Sequence, residues 1–435
     1  MKQHLHLTIG PVQSFVAQSR RTRDLWGSSY LLSFLAAHAM HGAKRAGGVI
    51  VRPRVDNDPM LQWVEGQGGP PRLGSLPNQF TVEIDDGVPP IDIATAAEKG
   101  LRNAWRRVCG AVWDHYVVHA VSVGNGTDTI WKRQIEGFWD VAWVAGVPTE
   151  HGLLARRKHW RTHWLPEEPG NKCTVMPELQ ELSGHVRATD CVQQDAFWSA
   201  MRAQSGEFDL RDNERLSAIA LVKRLYPRVA QQALGCSLDV THWPSTIDVA
   251  AAPWCQQLLA LAPQDAEAYA DVVTKASDHV LSGGVSSLLN PPSDGAQRFL
   301  QLDSNWFQRS FVANSKAPLS KEGARALVLA QLDKLAAVQD GAKPLGGPAA
   351  YFALLLADGD ELGRMVAKPG GSDVVSSALA RFTCEVPGIV QRHRGVTVYA
   401  GGDDVLVLRK ASPGPQPTDV VHAQFGSATG LPWAA

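Results

Sequence analysis

The chain has 435 residues, of which 44% are apolar and 20% are charged, and its formal net charge is −1. This composition supports two or three globular domains. A balance so close to neutral excludes a chain-wide basic character, so any contact with a polyanion must come from local patches. No apolar run reaches the length of a membrane helix and no secretory signal is present, so we expect a cytoplasmic protein without membrane contact.

Residues 1–146 predict a ferredoxin-like unit in the order βαββαβ. The predicted elements are a strand at 4–9, a helix at 12–46, strands at 49–51 and 79–84, a helix at 94–118 and a strand at 138–144. Gly10-Pro11 stops the first strand, and Gly47-Gly48 ends the first helix. Because neither Gly10 nor Pro11 carries a ligating side chain, we expect this unit to bind no metal.

No strand pattern is sustained between 147 and 345, and we interpret this stretch as a helical insert domain. The helices predicted there cover 217–225, 250–262, 265–281 and 319–337. Proline-rich breaks fall at 165–170 and 290–295. Residues 341–347 are glycine-rich and predict a linker into a third domain, 346–435.

The third domain begins with an apolar run that ends at Asp358. About forty residues later, two β-branched runs flank the sequence Gly-Gly-Asp-Asp at 401–404, which is typical of a hairpin turn. One helix separates the first run from the hairpin. In a right-handed βαβ unit the second hairpin strand can insert between the two parallel strands. We therefore expect Asp358, Asp403 and Asp404 to meet at one edge of the sheet.

Three carboxylates at one edge repel one another unless a cation compensates them, and hard oxygen ligands favour Mg²⁺ or Mn²⁺. Such a metal is typical of phosphoryl and nucleotidyl transfer. Backbone amides from Gly359 to Gly363 are expected to hold the triphosphate group of a nucleotide. The predicted nucleotide-binding residues of this domain are Gly359, Asp360, Glu361, Gly363, Gly401 and Gly402. The alternative is an ordinary surface turn, because glycine and aspartate are common in turns.

Several further motifs complete the pattern. They are IGPVQSFVAQSRRTRDLWGSSYLLS (9–33), LPNQF (76–80), FWDVAW (138–143), KCT (172–174), ELSG (181–184) and ERLSAIALVKR (214–224). Together with the two acidic motifs, they make the chain similar over nearly its whole length to one family. It resembles the large palm-domain subunit of type III-B (Cmr-type) CRISPR RNA-guided effector complexes, which makes cyclic oligoadenylates.

The resemblance implies an α+β fold with two palm-like, ferredoxin-like modules separated by the helical domain. It implies antiviral defence as the role, ATP as substrate, and guide RNA, target RNA and other complex subunits as partners. In the first module it points to Gln13, Ser14, Arg20 and Arg23 as nucleotide-binding residues. Two alternatives stay open: a scaffold subunit without turnover, favoured by the short third domain, and a stand-alone cyclase.

The third domain is expected to be incomplete. Only 27 residues follow Leu408, and they supply no clear final helix and strand for a ferredoxin-like palm. The family also carries a further C-terminal helical domain that has no counterpart here. We therefore expect an exposed sheet edge beside the first strand. We also expect that four apolar side chains cannot all be buried: Leu354, Leu356, Val405 and Val407.

Two other groups of residues suggest binding sites. Arg102, Arg106 and Arg107, and then Arg156, Arg157, Lys158 and Arg161, form basic clusters that suit either solvated helix faces or RNA backbone. A zinc interpretation rests on His159, His163, Cys173, His185 and Cys191. Met176 stands where a Cys-x-x-Cys pair would place its second cysteine, so we expect reduced thiols and no structural zinc.

Overall fold

The architecture is that of a computed structural model. It describes residues 2–148, 153–154, 167–206, 209–238, 243–277, 281–289, 293–314, 318–319, 323–349, 351–359, 362–366, 371–393, 395–401 and 404–410. The predicted basic cluster at 156–161 and the histidines at 159 and 163 lie outside the described residues.

Strands and helices alternate in the first third of the chain, and helices dominate the middle. The strands are β1 Gln3–Gly10, β2 Val49–Arg52, β3 Gln79–Ile84, β4 Asp140–Gly146, β5 Gln339–Asp340, β6 Lys343–Pro344, β7 Phe352–Ala357, β8 Val396–Gly401 and β9 Asp404–Lys410. The helices up to the middle of the chain are α1 Gln13–Val16, α2 Thr22–Arg45, α3 Pro59–Val64, α4 Pro90–His115, α5 Thr127–Gly137, α6 Arg187–Ser205, α7 Ala218–Leu225 and α8 Ala230–Leu234. Those that follow are α9 Thr246–Leu261, α10 Pro263–Ala276, α11 Asp294–Gln301, α12 Arg309–Ala313, α13 Ala324–Ala336, α14 Leu362–Val366 and α15 Gly371–Arg392.

The first sheet has the strand order β2-β3-β1-β4. Its pairs β1–β3, β1–β4 and β2–β3 are all antiparallel, which is the arrangement of a split βαβ unit. Leu5, Leu7 and Ile9 alternate along β1 and are fully buried, as expected for a strand with one face on the core. The predicted strands of residues 1–146 are all confirmed.

Helices α2 and α4 cover this sheet and cross at small residues. A Cβ on Gly42 would collide with the carbonyl oxygen of Ala96, and one on Gly100 would collide with the carbonyl oxygen of His38. The two backbones approach this closely only because glycine occupies both crossing points. An aromatic cluster in this part of the chain consists of Phe15, Trp105, Phe138 and Trp139.

The single helix predicted over 12–46 is wrong in one respect, because the structure divides it into α1 and α2. The Ser19 hydroxyl donates to the Val16 carbonyl at 2.9 Å, and Arg21 is extended at φ −127°, ψ 147°. The local hydrogen bond competes with helix continuation. The break presents Arg20 and Arg21 to residues more than 150 positions away. The prediction also lacks α5, the helix preceding β4.

The residues group into two compact units. Unit 1 comprises Met1–Leu238, Asp358–Cys384 and Tyr399–Asp404, and unit 2 comprises Asp239–Ala357, Glu385–Val398 and Val405–Ala435. Unit 2 has its own core, built around Trp254, Tyr269, Phe299 and Phe307. The helices predicted within 217–337 are found, but the second begins four residues earlier, the third ends five residues earlier and the fourth begins five residues later than predicted. The domain division at 146/147 and 345/346 stays a prediction.

The second sheet consists of β5 and β6, and the third has the strand order β7-β9-β8. The second hairpin strand therefore lies between the other two, as the sequence predicted. Val405 and Val407 are 3% and 4% exposed, whereas Leu354 and Leu356 are 53% and 71% exposed. The expectation that these four side chains cannot all be buried is thus confirmed.

The structure is α+β, with helices and small antiparallel sheets. The arrangement as two palm modules stays a proposal. Among the described residues, no helix combines the length and the apolar character needed to span a membrane.

Candidate active site

The acidic turn is positioned by the pairing of β7 with β9. These strands are antiparallel with Phe352 opposite Lys410 and Ala357 opposite Val405. Continuing this register by one residue on each strand brings Asp358 opposite Asp404. Directly opposed residues of antiparallel strands have Cβ atoms about 4.5–5.5 Å apart. The sequence expectation that these two carboxylates meet at one edge therefore agrees with the register.

Both of these aspartates are exposed. Asp358 directly follows β7, and Asp404 is the first residue of β9. The third predicted carboxylate, Asp403, lies outside the described residues, as do Asp360, Glu361 and Gly402. Gly359 is half-buried, and Gly363 falls within α14, a helix of only five residues. The predicted nucleotide contacts of Gly359–Gly363 stay predictions.

Gly401 ends β8 and is buried. Its lack of a side chain leaves room for the ring of Tyr399. A Cβ at this position would lie 2.5 Å from the hydroxyl oxygen and 2.7 Å from Cζ of Tyr399. Real Cβ atoms do not approach that closely, so a side chain at residue 401 would displace the Tyr399 ring from the strand end. The ring occupies the space beside the first residue of the turn.

The donor set suits a hard divalent cation. Two exposed carboxylates on neighbouring strands offer oxygen ligands and leave room for waters or phosphate oxygens, as Mg²⁺ prefers. Within the described part of the chain, no group of three or more histidine, cysteine, aspartate or glutamate side chains is placed to hold a metal. The described residues therefore offer two candidate ligands, Asp358 and Asp404, and their role as ligands, like that of Asp403, stays a prediction.

In the first sheet, β1 ends at Gly10, where the third sheet has Asp358. Gln13 is exposed and Ser14 half-buried, both on α1. Arg20 is exposed, and its guanidinium donates to the Thr174 carbonyl at 2.5 Å. Arg23 is buried and forms an ion pair with Asp209. The nucleotide-binding role of these four residues stays a prediction.

A buried ionic network surrounds Arg224 in unit 1. Its guanidinium donates to both carboxylate oxygens of Asp24 at 2.8 Å and to both of Glu214 at 3.1 Å. Arg224, Asp24 and Glu214 are 1–4% exposed. Arg21 adds a bond to Glu214 at 3.3 Å. The network joins the first turn of α2 to α7 and the loop before it, in line with a structural role for the 214–224 motif.

The charges in this network shift one another's titration. Burial by itself raises the pKa of the Glu214 carboxyl, but the attraction of Arg224, an N–H bond from Arg211 and the charge of Arg21 outweigh it, so the pKa is lowered from its ordinary value. Sequence reasoning found Glu214 and Arg224 on an apolar stretch but missed Asp24 as their partner. No sequence signal connects them, because Asp24 lies 200 positions from Arg224.

Lys223 is also buried, but its hydrogen bond is to a backbone carbonyl and not to a carboxylate. Its ammonium donates to the Gln18 carbonyl at 2.6 Å and lies 5.3 Å above the centre of the Phe15 ring. Burial lowers the pKa of Lys223 to about 8, with the nearby charge of Asp24 opposing the shift. Lys223 thus helps hold the segment between α1 and α2, which contains Arg20.

The basic residues of α4 are engaged within the protein. Arg102 donates to Glu98 at 2.7 Å and to the Trp139 carbonyl at 3.3 Å. Arg107 donates to the Ala233 carbonyl at 3.1 Å. Arg106 is exposed and approaches Asn103 at 3.4 Å. Of the three, Arg106 has the guanidinium most open to another molecule.

Cys173 is buried and accepts backbone N–H groups from Val175 and Met176 at 3.4 and 3.3 Å. Cys191 is exposed, and His185 has a contact from Nε2 to the Val123 carbonyl at 3.0 Å. In the described ranges these residues build no metal cluster. The expectation of no structural zinc stays a prediction, because two of the candidate histidines lie elsewhere.

Comparison with family models gives two matches. Residues 4–110 match the N-terminal part of the CRISPR-associated protein Cmr2, and residues 351–430 match the second palm domain of Cas10/Cmr2. The second match contains the acidic turn, and the first contains β1 to β3 and most of α4.

A curated protein and two solved structures are also similar. The CRISPR system Cmr subunit Cmr2 of Pyrococcus furiosus is 23% identical over 500 residues, an alignment that covers 98% of this chain and 55% of that protein. Type III-B Cmr-beta in its apo state matches with a TM-score of 0.53 and 14% identity, and the form bound to cognate target RNA with 0.61 and 15%. Each covers 94% of this chain and 60% of the matched chain. The chain thus spans between half and two thirds of the length of these relatives, and the likeness to the solved structures is one of fold.

Proposed function

Since the chain belongs to the Cmr2/Cas10 family, we propose that it is the large subunit of a type III-B CRISPR effector complex and that its acidic turn is a nucleotidyltransferase centre. The substrate we propose is ATP, and the products are cyclic oligoadenylates. We propose other complex subunits, guide RNA and target RNA as partners, with target RNA binding as the trigger and antiviral defence as the role.

One observation carries the catalytic part of this proposal. Ala357 opposite Val405 brings Asp358 and Asp404 to neighbouring positions at the end of two paired strands. Opposed like charges destabilise a sheet. Two exposed carboxylates in this position can share a ligand of opposite charge, and a divalent cation is the simplest one.

We assign Asp358, Asp404 and Asp403 as the residues that hold Mg²⁺ or Mn²⁺. When bound, the metal would position the ribose 3′-hydroxyl and offset charge on the α-phosphate. The chain's own part is to hold Asp358 at the end of β7 and Asp404 at the start of β9, so that the pairing of these two strands sets their spacing. Tyr399, packed against Gly401, limits the room beside the turn.

The first module is proposed to bind without chemistry. Its β1 ends in Gly10, so the equivalent position has no ligating side chain. Gln13, Ser14 and Arg20 are solvent-accessible to differing degrees and remain the proposed nucleotide contacts. The proposal that Arg23 contacts nucleotide has weaker support, because Arg23 is buried in an ion pair with Asp209.

The test is turnover of labelled ATP with Mn²⁺, measured for the chain alone, within its complex, and within the complex bound to target RNA. Asp358→Asn and Asp404→Asn should each abolish turnover while complex assembly persists. Asp114→Asn, an exposed aspartate on α4, is the matched control and should retain it. Assembly without turnover in every wild-type combination would instead identify a scaffold subunit.

A further inference from the structure

Unit 2 contains a pocket of about 470 Å³ that has no role in the proposed chemistry. It lies where the first turn of α9, the turn Ser304–Phe307, α12 and the start of β7 come together. Its lining includes Thr246, Asn305, Gln308, Ser310, Phe311 and Phe352. Its volume falls within the range of about 300–1,000 Å³ of small-molecule sites.

The lining combines two aromatic rings with neutral polar side chains. Nε2 of Gln308 is buried, and within the described part of the chain it has no hydrogen-bond partner. Asn305 uses its own Nδ2 to donate to Asp303 at 2.7 Å, which fixes the orientation of its amide. Phe352 is 41% exposed, so part of its side chain is open to a bound molecule. A buried amide donor without a partner in the protein is open to an acceptor from a bound molecule.

The hydrogen-bonding groups and the charges of the lining determine which type of ligand fits. None of the described lining residues is charged, so a phosphate or carboxylate group would find no ionic partner there. An aliphatic chain would leave the amides and hydroxyls without hydrogen bonds. A planar ring with donors and acceptors along its edge satisfies both needs, because it stacks on aromatic faces and bonds to amides.

We propose that this pocket binds a neutral nucleobase, with Phe311 and Phe352 as aromatic contacts and the Gln308 amide as donor to an acceptor on the edge of the base. Sugar and phosphate groups then stay at the mouth. The ring can come from a free nucleotide or from a single-stranded nucleic acid. This site is separate from the acidic turn and does not depend on the function proposed for it.

The test titrates the full chain with adenosine, guanosine, cytidine and uridine, in EDTA to suppress metal-dependent binding at the acidic turn. At least one nucleoside should bind by calorimetry or saturation-transfer NMR. Gln308→Leu should weaken that binding at least about tenfold, the loss expected for one buried hydrogen bond. Gln256→Leu, the same change at an exposed position of α9, is the matched control and should leave affinity unchanged.

Two further measurements keep the result interpretable. Photocrosslinking of an azido-nucleoside to the wild-type chain should label a peptide containing Phe311 or Phe352, independently of whether a variant folds. A single-stranded trinucleotide that binds more tightly than the matching monophosphate identifies nucleic acid as the source, and equal affinity identifies a free nucleotide. The proposal is overturned if no nucleoside binds, if the label appears on another peptide, or if Gln308→Leu and the wild-type chain bind with equal affinity. Selective binding of a neutral peptide in this pocket would also overturn it.

Discussion

Ala357 lies directly opposite Val405 in the antiparallel pairing of β7 with β9. Asp358 and Asp404 are the next residues on these two strands, and both are exposed. A single register therefore determines whether two carboxylates can share a cation. A slip by one residue would move every side chain of β7 to the other face of the sheet and separate the pair.

The first prediction concerns metal-linked stability. Saturating Mn²⁺ should raise the free energy of unfolding of the wild-type chain, by about 2.7 kcal/mol at one hundred times the dissociation constant. Asp404→Asn should remove this gain, because it removes one ligand. Thermal unfolding with and without Mn²⁺ measures both effects, and an unchanged Mn²⁺ response would contradict the ligand assignment.

The second prediction concerns the network around Arg224. Arg224→Met should lower the free energy of unfolding by about 3–5 kcal/mol, because it leaves Asp24 and Glu214 buried without their partner. Arg298→Met, at an ion pair whose side chains are 61% and 52% exposed, should change it by less than about 1 kcal/mol. Urea unfolding of both variants gives the comparison. Equal effects would show that burial does not decide the value of these pairs.

The third prediction concerns Lys223, whose pKa is lowered by burial from 10.5 to about 8. Below pH 8 both folded and unfolded chains carry the proton, so the cost of burying the charge is fully present. Between pH 8 and 10.5 the unfolded chain binds more protons, so this cost is relieved and stability rises. The stability of Lys223→Met relative to wild type should therefore fall by up to about 3 kcal/mol over that interval.

Chemical unfolding at a series of pH values measures this difference and cancels titrations common to both proteins. Lys99→Met, at an exposed position of α4, should show no such trend. A constant difference between Lys223→Met and wild type would mean that Lys223 titrates normally.

The fourth prediction concerns the uncovered face of β7. Leu356 is 71% exposed, so Leu356→Ser should change the free energy of unfolding by less than about 0.5 kcal/mol. It should also reduce aggregation, because an exposed apolar strand at a sheet edge is prone to pair with other chains. Val407→Ser, at a site 4% exposed, should cost several times more. Light scattering and urea unfolding test the pair, and a large loss for Leu356→Ser would show that this face is covered.

The sequence by itself determined much of the local structure and the candidate site. Strand patterns of period two predicted the strands of the first sheet, and the apolar run before Asp358 predicted β7. The Gly-Gly-Asp-Asp motif predicted a hairpin whose second strand lies between its neighbours, because hairpins and βαβ units follow local rules of turn geometry and handedness. These features depend on residues close together in the chain, which a pattern records directly.

Only the tertiary structure decided which charges became partners. Asp24 and Arg224 are separated by 200 positions, and no local pattern links them. The break between α1 and α2 has the same origin, since Arg20 and Arg21 contact residues beyond position 170. The pocket around Gln308 likewise joins three separate segments of the chain. Such contacts arise from the packing of distant segments, where the cost of burying a polar group selects its partner.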